Sequence, residues 1–147
     1  MNDKPRVRYW HLWTDADGIS RQTQCMMERF DLKPIQPSAD AQWQGEKTSG
    51  KMTTMVTVLP IGWVGGWHEN PKPQWIVPLS GRWFVEAMDG TRIELGPGEL
   101  SFGGDQHCRE TGGKRGHRSG TVGDVPAVLM LVQLENWPAH PSPCALW

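Results

Sequence analysis

Apolar residues along this chain fall in short runs separated by turns rich in glycine and proline, and no segment keeps a helical period of 3.6 residues. Residues 52–59 form the clearest run, dominated by threonine, valine and other β-prone side chains. Similar runs cover residues 75–79, 83–88, 91–95, 99–102, 117–122 and 127–135. Short runs at this spacing are typical of β-sandwiches and β-barrels. We therefore predict an all-β protein with seven or eight strands in this pattern.

Two turns between these runs have a clear chemistry. Asp89-Gly90 separates two β-prone runs, and this pair favours a hairpin with a type I′ turn, which needs positive φ angles. Gly96-Pro97-Gly98 marks the turn that follows.

The two ends of the chain differ from this middle. Residues 7–13 and 19–32 predict two extended segments joined by an Asp/Gly turn, which is an N-terminal β-hairpin. Residues 33–51 predict a long polar loop, either a lid that contacts a pocket through Trp43 or a surface loop whose Trp43 packs on the core. The organisation is an N-terminal extension and loop (1–50), a main β domain (51–135) and a surface tail (136–147).

Length and charge narrow the class of protein. A chain of 147 residues is typical of one domain with one hydrophobic core. The formal net charge is −1, from 15 basic and 16 acidic residues, so we expect neither a nucleic acid nor a membrane as partner. The longest apolar run, residues 127–132, is far shorter than the roughly 20 residues of a spanning helix.

The cysteines and the first residues of the chain indicate the cellular compartment. The three cysteines lie far apart in the sequence, and a sparse, odd set predicts reduced thiols. The first residues are not followed by an apolar segment, so we expect no signal peptide. Together these features predict a cytoplasmic protein.

Residues 62–81 carry a spacing with chemical meaning. Gly62 is followed by His68 after five residues, Asn70 comes two positions later, Gln74 four positions after that, and Gly81 after six more residues. In this spacing the sequence resembles the first motif of the cupin superfamily, in which a second histidine and a glutamate stand at the positions of Asn70 and Gln74. The resemblance covers about residues 52–135 and implies a single cupin jelly-roll barrel, here with the N-terminal β-hairpin as an extension.

The resemblance also implies one more histidine, from a second cupin motif. His117 is our candidate because a predicted strand follows it, and His107, closer to the Gly-Pro-Gly turn, is the alternative. The implied ligands of a divalent metal (Zn, Fe, Mn or Ni) are then His68, Gln74 and His117, with or without Asn70. Imidazole suits such metals, whereas amide oxygens are weaker neutral ligands. In the alternative the metal has been lost, and a histidine of this set acts as general acid or base.

Four further residues complete the predicted site, as contacts to a substrate. Trp63 and Trp67 flank the His68 motif, and aromatic walls with a few polar groups are typical of small-molecule pockets. Asp105 brings a negative charge if its loop folds inward, and Arg118 orients an anionic group at the mouth. Most of the nine tryptophans are expected in the core or in a dimer interface.

Strand alternation makes a separate prediction for the run that begins near Gln74. If Gln74 faces the inside of the domain, Ile76 and Pro78 also face it, whereas Trp75 and the odd-numbered positions after it face the opposite way.

These patterns together predict an enzyme acting on a small organic molecule. The expected reaction is metal-assisted proton transfer, isomerase-like or lyase-like, on an apolar or aromatic substrate that carries an oxygen group. Two alternatives stay open: a non-catalytic cupin that binds or senses a small ligand, and an Fe-dependent dioxygenase. Cupin domains resemble one another in dimerising through N-terminal strands and an exposed sheet face, so the resemblance also implies a homodimer.

Overall fold

The computed structural model of the chain describes residues 3–137 and 142–145. Within these residues the chain forms eleven strands and no helix, so the predicted all-β class is confirmed. The strands are β1 (Val7–Thr14), β2 (Ser20–Met27), β3 (Phe30–Pro34), β4 (Ala41–Gly45), β5 (Met52–Leu59), β6 (Gln74–Ser80), β7 (Arg82–Ala87), β8 (Arg92–Leu95), β9 (Leu100–Gly104), β10 (His117–Val122) and β11 (Ala127–Leu134). The described residues include no helix long and apolar enough to cross a membrane.

The strands are arranged in three sheets. The largest has six strands in the order β2-β1-β9-β6-β11-β5, in which only the β1–β9 pair is parallel. The second has the order β10-β7-β8, and the third is the β3–β4 hairpin. These sheets do not join into a closed hydrogen-bonded barrel within the described residues, so the cupin jelly roll stays a prediction.

The main core lies between the six-stranded and three-stranded sheets. Alternate side chains of β1, β6 and β11 meet those of β7 and β8, because successive residues of a strand point to opposite faces. We call this side of the six-stranded sheet the inner face. Its buried core residues are Leu12, Ile76, Trp83, Val85, Ala87, Ile93, Leu95, Ala127 and Leu129.

The outer face of the six-stranded sheet carries a second, aromatic cluster. Tyr9 and Phe102 are almost fully buried there, and Trp75 packs edge-on against both rings. The C-terminal segment covers this cluster, since Trp137 and Cys144 pack against it. The described part of the predicted tail therefore contributes to a core.

A disulfide between Cys25 and Cys144 fastens that segment to β2. The prediction of three reduced thiols is therefore wrong for this pair. The two residues lie 119 positions apart, and only the return of the chain over the outer face brings them together. The third cysteine, Cys108, is free and buried.

The segment 33–51 also differs from its prediction. Its residues 41–45 form β4, which pairs with β3, and Trp43 stands opposite Leu32. This strand was not predicted because its composition is polar. The hairpin lies apart from the main core and therefore needs few apolar residues. The prediction of a loop is therefore wrong for β4.

The two predicted turns are present, with one correction. Ala87 N–H donates to the Thr91 carbonyl at 2.9 Å, Gly90 N–H donates to the Ala87 carbonyl at 3.0 Å, and only Gly90 of the Asp89-Gly90 pair has a positive φ (88°). This matches a three-residue hairpin loop with left-handed glycine, so the hairpin is confirmed and its type I′ turn is wrong. Pro97 followed by Gly98 at φ 87° fits a type II turn.

Candidate functional site

A cavity of about 140 Å³ lies between the facing sheets, near the start of β6. It reaches the surface beside Trp63 and His68, which line it and are themselves exposed. Two larger surface grooves, near Lys4 and Arg6, contain no histidine. The cavity is lined by Thr57, Leu59, Trp63, His68, Asn70, Pro71, Gln74, Ile76, Trp83, His117, Ser119, Leu129 and Leu131.

Strand alternation explains how β6 contributes to this cavity. Gln74 and Ile76 are buried and line it, and Pro78 is buried on the same face. Trp75 packs on the opposite side with the aromatic cluster. The alternation predicted for this strand is confirmed.

Asp105 lies behind the cavity wall and organises its polar part. The side chain is fully buried, and its Oδ2 is 2.7 Å from Nδ1 of His117. Its Oδ1 accepts two hydrogen bonds from Asn70, from the backbone N–H at 3.0 Å and from Nδ2 at 2.7 Å. A carboxylate can only accept, so Nδ1 of His117 carries a hydrogen whether the ring is charged or neutral, and in the neutral form Nε2 has a lone pair.

The pKa of Asp105 follows from the same contacts. Burial is the largest influence and by itself raises the pKa of this carboxyl. The charge of His117 in its protonated form, its hydrogen bond and the two hydrogen bonds from Asn70 together outweigh the effect of burial. The pKa of Asp105 is therefore lowered, and the group is an anion at neutral pH.

The carboxylate also fixes the orientation of three amide side chains. Asn70 must turn its Nδ2 towards Asp105, which leaves Oδ1 to accept from Nε2 of Gln74 at 2.6 Å. Gln74 then presents Oε1, which accepts from Nε2 of Gln133 at 3.0 Å. Each amide is oriented by the one before it, and Asp105 is the fixed end of the chain.

His68 is paired with His117 through both backbone and ring. Their backbones exchange two hydrogen bonds of 3.0 and 2.9 Å, and the ring centroids are 4.6 Å apart. Nδ1 of His68 lies 2.9 Å from the carbonyl oxygen of Gly66, which can only accept. Nε2 of neutral His68 therefore also keeps its lone pair, and no described atom donates to Nε2 of either ring.

Two glycines make this arrangement possible. Gly116, at φ 79°, lies so close to the chain at His68 that a Cβ there would stand 2.2 Å from the His68 carbonyl oxygen. A Cβ on Gly103 would stand 2.4 Å from Nδ2 of Asn70. Both positions are therefore restricted by packing at the site, which sequence reasoning did not detect.

The four predicted metal ligands come together but do not form a complete ligand set. His68 and His117 offer one imidazole nitrogen each, which suits a divalent ion. The oxygens of Asn70 and Gln74 instead accept hydrogen bonds within the amide chain. The described residues contain no group of three or more His, Cys, Asp or Glu side chains placed to hold a metal. The described donors therefore supply two imidazole nitrogens and two amide oxygens that are already engaged in hydrogen bonds, and the metal stays a prediction.

The other predicted residues lie outside the cavity wall. His107 is exposed on the loop after β9 with φ 65°, so the structure brings His117, and not His107, to His68. The centroid of the Trp67 ring is 5.1 Å from Nζ of Lys114 and 5.9 Å from Cζ of Arg118. Arg118 also pairs with Glu86 at 2.7 Å.

Sequence reasoning missed two polar residues of this region. Gln133 extends the amide chain, and Ser119 lines the cavity; strand alternation from Leu129 and from His117 would have found them. Of the two alternatives for segment 33–51, the lid over the pocket is not present in the structure. No residue of segment 33–51 lines the cavity, Trp43 included.

Comparisons with known proteins do not identify a function. No family model matches the chain, and no curated protein matches it. Among solved structures, the chain is similar to one described as the crystal structure of protein NMB1881 from Neisseria meningitidis. That similarity has a TM-score of 0.42 and 18% sequence identity, and it covers 67% of this chain and 90% of the other. A similarity this low carries no argument about fold or function.

Proposed function

We propose that the protein is an enzyme that moves a proton between carbon and oxygen of a small organic molecule, an isomerase-like reaction. The observation that carries the proposal is the buried Asp105–His117 pair, 2.7 Å apart, at the wall of a largely apolar cavity. A carboxylate that holds an imidazole in one tautomer is a recurring device of general acid–base catalysis.

The proposed step uses both histidines. His117 removes a proton from the carbon next to a carbonyl group, at Nε2, and the electron pair of the broken C–H bond forms a C=C bond. His68 enters this step in its protonated form. Its Nε2–H gives a proton to the carbonyl oxygen, which becomes an enol hydroxyl, and His68 becomes neutral. Asp105 stabilises the imidazolium that forms at His117, since it accepts from Nδ1. Solvent restores the two histidines through the open end of the cavity at His68.

We also propose the cupin jelly roll as the finer description of the fold. The spacing of residues 62–81 and the placing of His68, Asn70, Gln74 and His117 around one cavity support it. The proposed cupin is one whose polar cluster works without the metal of the family.

Hydrogen exchange at carbon tests the reaction without knowledge of the natural substrate. The protein is incubated in D₂O with small ketones such as cyclohexanone, and deuterium at the α-carbon is measured by mass spectrometry. We expect exchange faster than in buffer, with His117→Gln lowering the protein-dependent rate roughly 10²–10⁴-fold. His107→Gln is the matched control, an exposed histidine whose loss should leave the rate unchanged.

Asp105→Asn separates positioning from folding. An amide nitrogen facing Nδ1 would favour the other tautomer of His117, which has no lone pair at Nε2. We expect the exchange rate to fall and the ¹⁵N shifts of the ring to report hydrogen at Nε2. Ketone exchange that no variant at His117 or Asp105 alters would contradict the proposal.

A further inference from the structure

The cavity limits the size of the molecule that it encloses. An apolar cavity of about 150 Å³ is known to hold benzene. The cavity here has about 140 Å³ and is walled by Ile76, Trp83, Leu129 and Leu131 among other apolar side chains. The enclosed part of a ligand is therefore about the size of one six-membered ring.

The charges around the cavity disfavour an anion. None of the lining residues is lysine or arginine. Arg118, the cation that sequence reasoning assigned to an anionic group, is paired with Glu86 and does not line the cavity. The nearest buried charge is the carboxylate of Asp105, whose oxygens are already bonded to His117 and Asn70. A desolvated carboxylate of a ligand would have no cation to compensate it.

The hydrogen-bonding groups that remain point to a hydroxyl. Nε2 of His68 and Nε2 of His117 are acceptors without a donor among the described residues. Trp83 lines the cavity with its ring, whereas its indole N–H is buried away from the cavity space. A hydroxyl group can donate to one of these imidazole nitrogens.

We propose that the substrate is a neutral, ring-sized molecule that carries an enolisable oxygen, bound as its enol with the hydroxyl donating to a histidine Nε2. The inference rests on the proposed function in taking this cavity as the substrate site. Phenol is the stable mimic of such an enol, because its ring holds the hydroxyl form.

Calorimetric titration with four ring compounds tests the ligand class. Phenol is compared with toluene, which has the shape but no hydroxyl, with benzoate as an anion and with benzylammonium as a cation. We expect phenol to bind roughly tenfold or more tightly than each of the others. Toluene offers no donor to the imidazole acceptors, and the two ions would lose hydration in a cavity whose lining carries no free opposite charge. Equal binding of phenol and toluene, or tighter binding of either ion, would overturn the inference.

Two substitutions on one strand locate the binding. Leu131→Trp fills the cavity and should abolish phenol binding. Met130→Trp is the matched control, because its side chain points to the outer face, is 37% exposed and does not line the cavity. Thermal unfolding of both variants shows whether each is folded. A folded Leu131→Trp that still binds phenol with the original affinity would place the site elsewhere and overturn the inference.

The binding experiment and the exchange experiment test the ligand class and the reaction independently. Selective binding of phenol without ketone exchange supports the ligand class and contradicts the proposed reaction. Ketone exchange by a protein that does not prefer phenol supports the reaction and contradicts the ligand class.

Discussion

The two faces of the six-stranded sheet are stabilised in different ways, although neighbouring residues of β6 supply both. Gln74 joins a chain of hydrogen bonds that ends at a buried carboxylate on the inner face. Trp75 packs among aromatic rings on the outer face, under a segment fastened by a disulfide. The inner face keeps a cavity because directional bonds hold its polar groups in place, whereas the outer face is closed by apolar contact and a covalent bond.

Removal of the inner carboxylate should have the largest effect. Asp105→Ala leaves two N–H donors of Asn70 and Nδ1 of His117 buried without an acceptor. We expect a loss of about 3–5 kcal/mol in the free energy of unfolding, measured with urea. Asp124→Ala, at an exposed loop position, is the control and should change this value little. A similar loss in both variants would mean that the buried network has no special role.

Loss of the disulfide tests the outer face and should rank second. The bond closes a loop across a separation of 119 residues, and its removal by Cys25→Ala with Cys144→Ala should cost about 2–4 kcal/mol. Urea unfolding with and without a reductant measures this. The wild type should lose stability on reduction and the double variant should not. The reduced wild type and the double variant should both still bind phenol, because the cavity lies on the other face of the sheet. Loss of phenol binding in either would show that the two faces are coupled.

The outer cluster also predicts a response to alkaline pH. Burial raises the pKa of Tyr9 to about 12, against a smaller opposing influence of the Arg29 charge. The folded protein then keeps this proton to a higher pH than the unfolded chain, whose tyrosine titrates near 10. The stabilising contribution of Tyr9 is complete below pH 10 and is lost as the pH rises towards 12. Tyr9 is the sole tyrosine, so absorbance near 295 nm measures its ionisation directly. A midpoint near 10 would contradict the burial of its hydroxyl.

The smallest effect is expected from the hydroxyl of the same residue. The Tyr9 hydroxyl is buried without a partner among the described residues. Tyr9→Phe removes an unsatisfied polar group and keeps the ring, so stability should stay the same or rise by about 1 kcal/mol at neutral pH. Thermal unfolding measures the change. A clear loss of stability would mean that the Tyr9 hydroxyl makes a hydrogen bond within the outer cluster.

Strand positions were predictable because they depend on residues close together in the chain. The runs of β-branched residues and the Asp89-Gly90 hairpin express local preferences, and the structure agrees with them within a few residues. β4 was missed because its pairing with β3 involves few apolar residues. The inner and outer positions of β6 were predictable from the alternation of a strand alone.

The candidate site was predictable only in part. The motif spacing predicted that His68, Asn70 and Gln74 belong to one site, and in the structure they line one cavity. The orientation of the amides was not predictable, because it depends on Asp105, 35 positions from Asn70. With that orientation, oxygens predicted to bind a metal are engaged in hydrogen bonds.

The sequence by itself determined the all-β class, most strand positions and the separation of Gln74 from Trp75 onto opposite faces. All of these follow from the period of a strand and from turn residues. Only the tertiary structure decided between His107 and His117, since the backbone pairing of His117 with His68 brings the two rings together. It also decided that Cys25 meets Cys144. Both are contacts between distant segments, and such contacts depend on how the sheets pack, which no local pattern encodes.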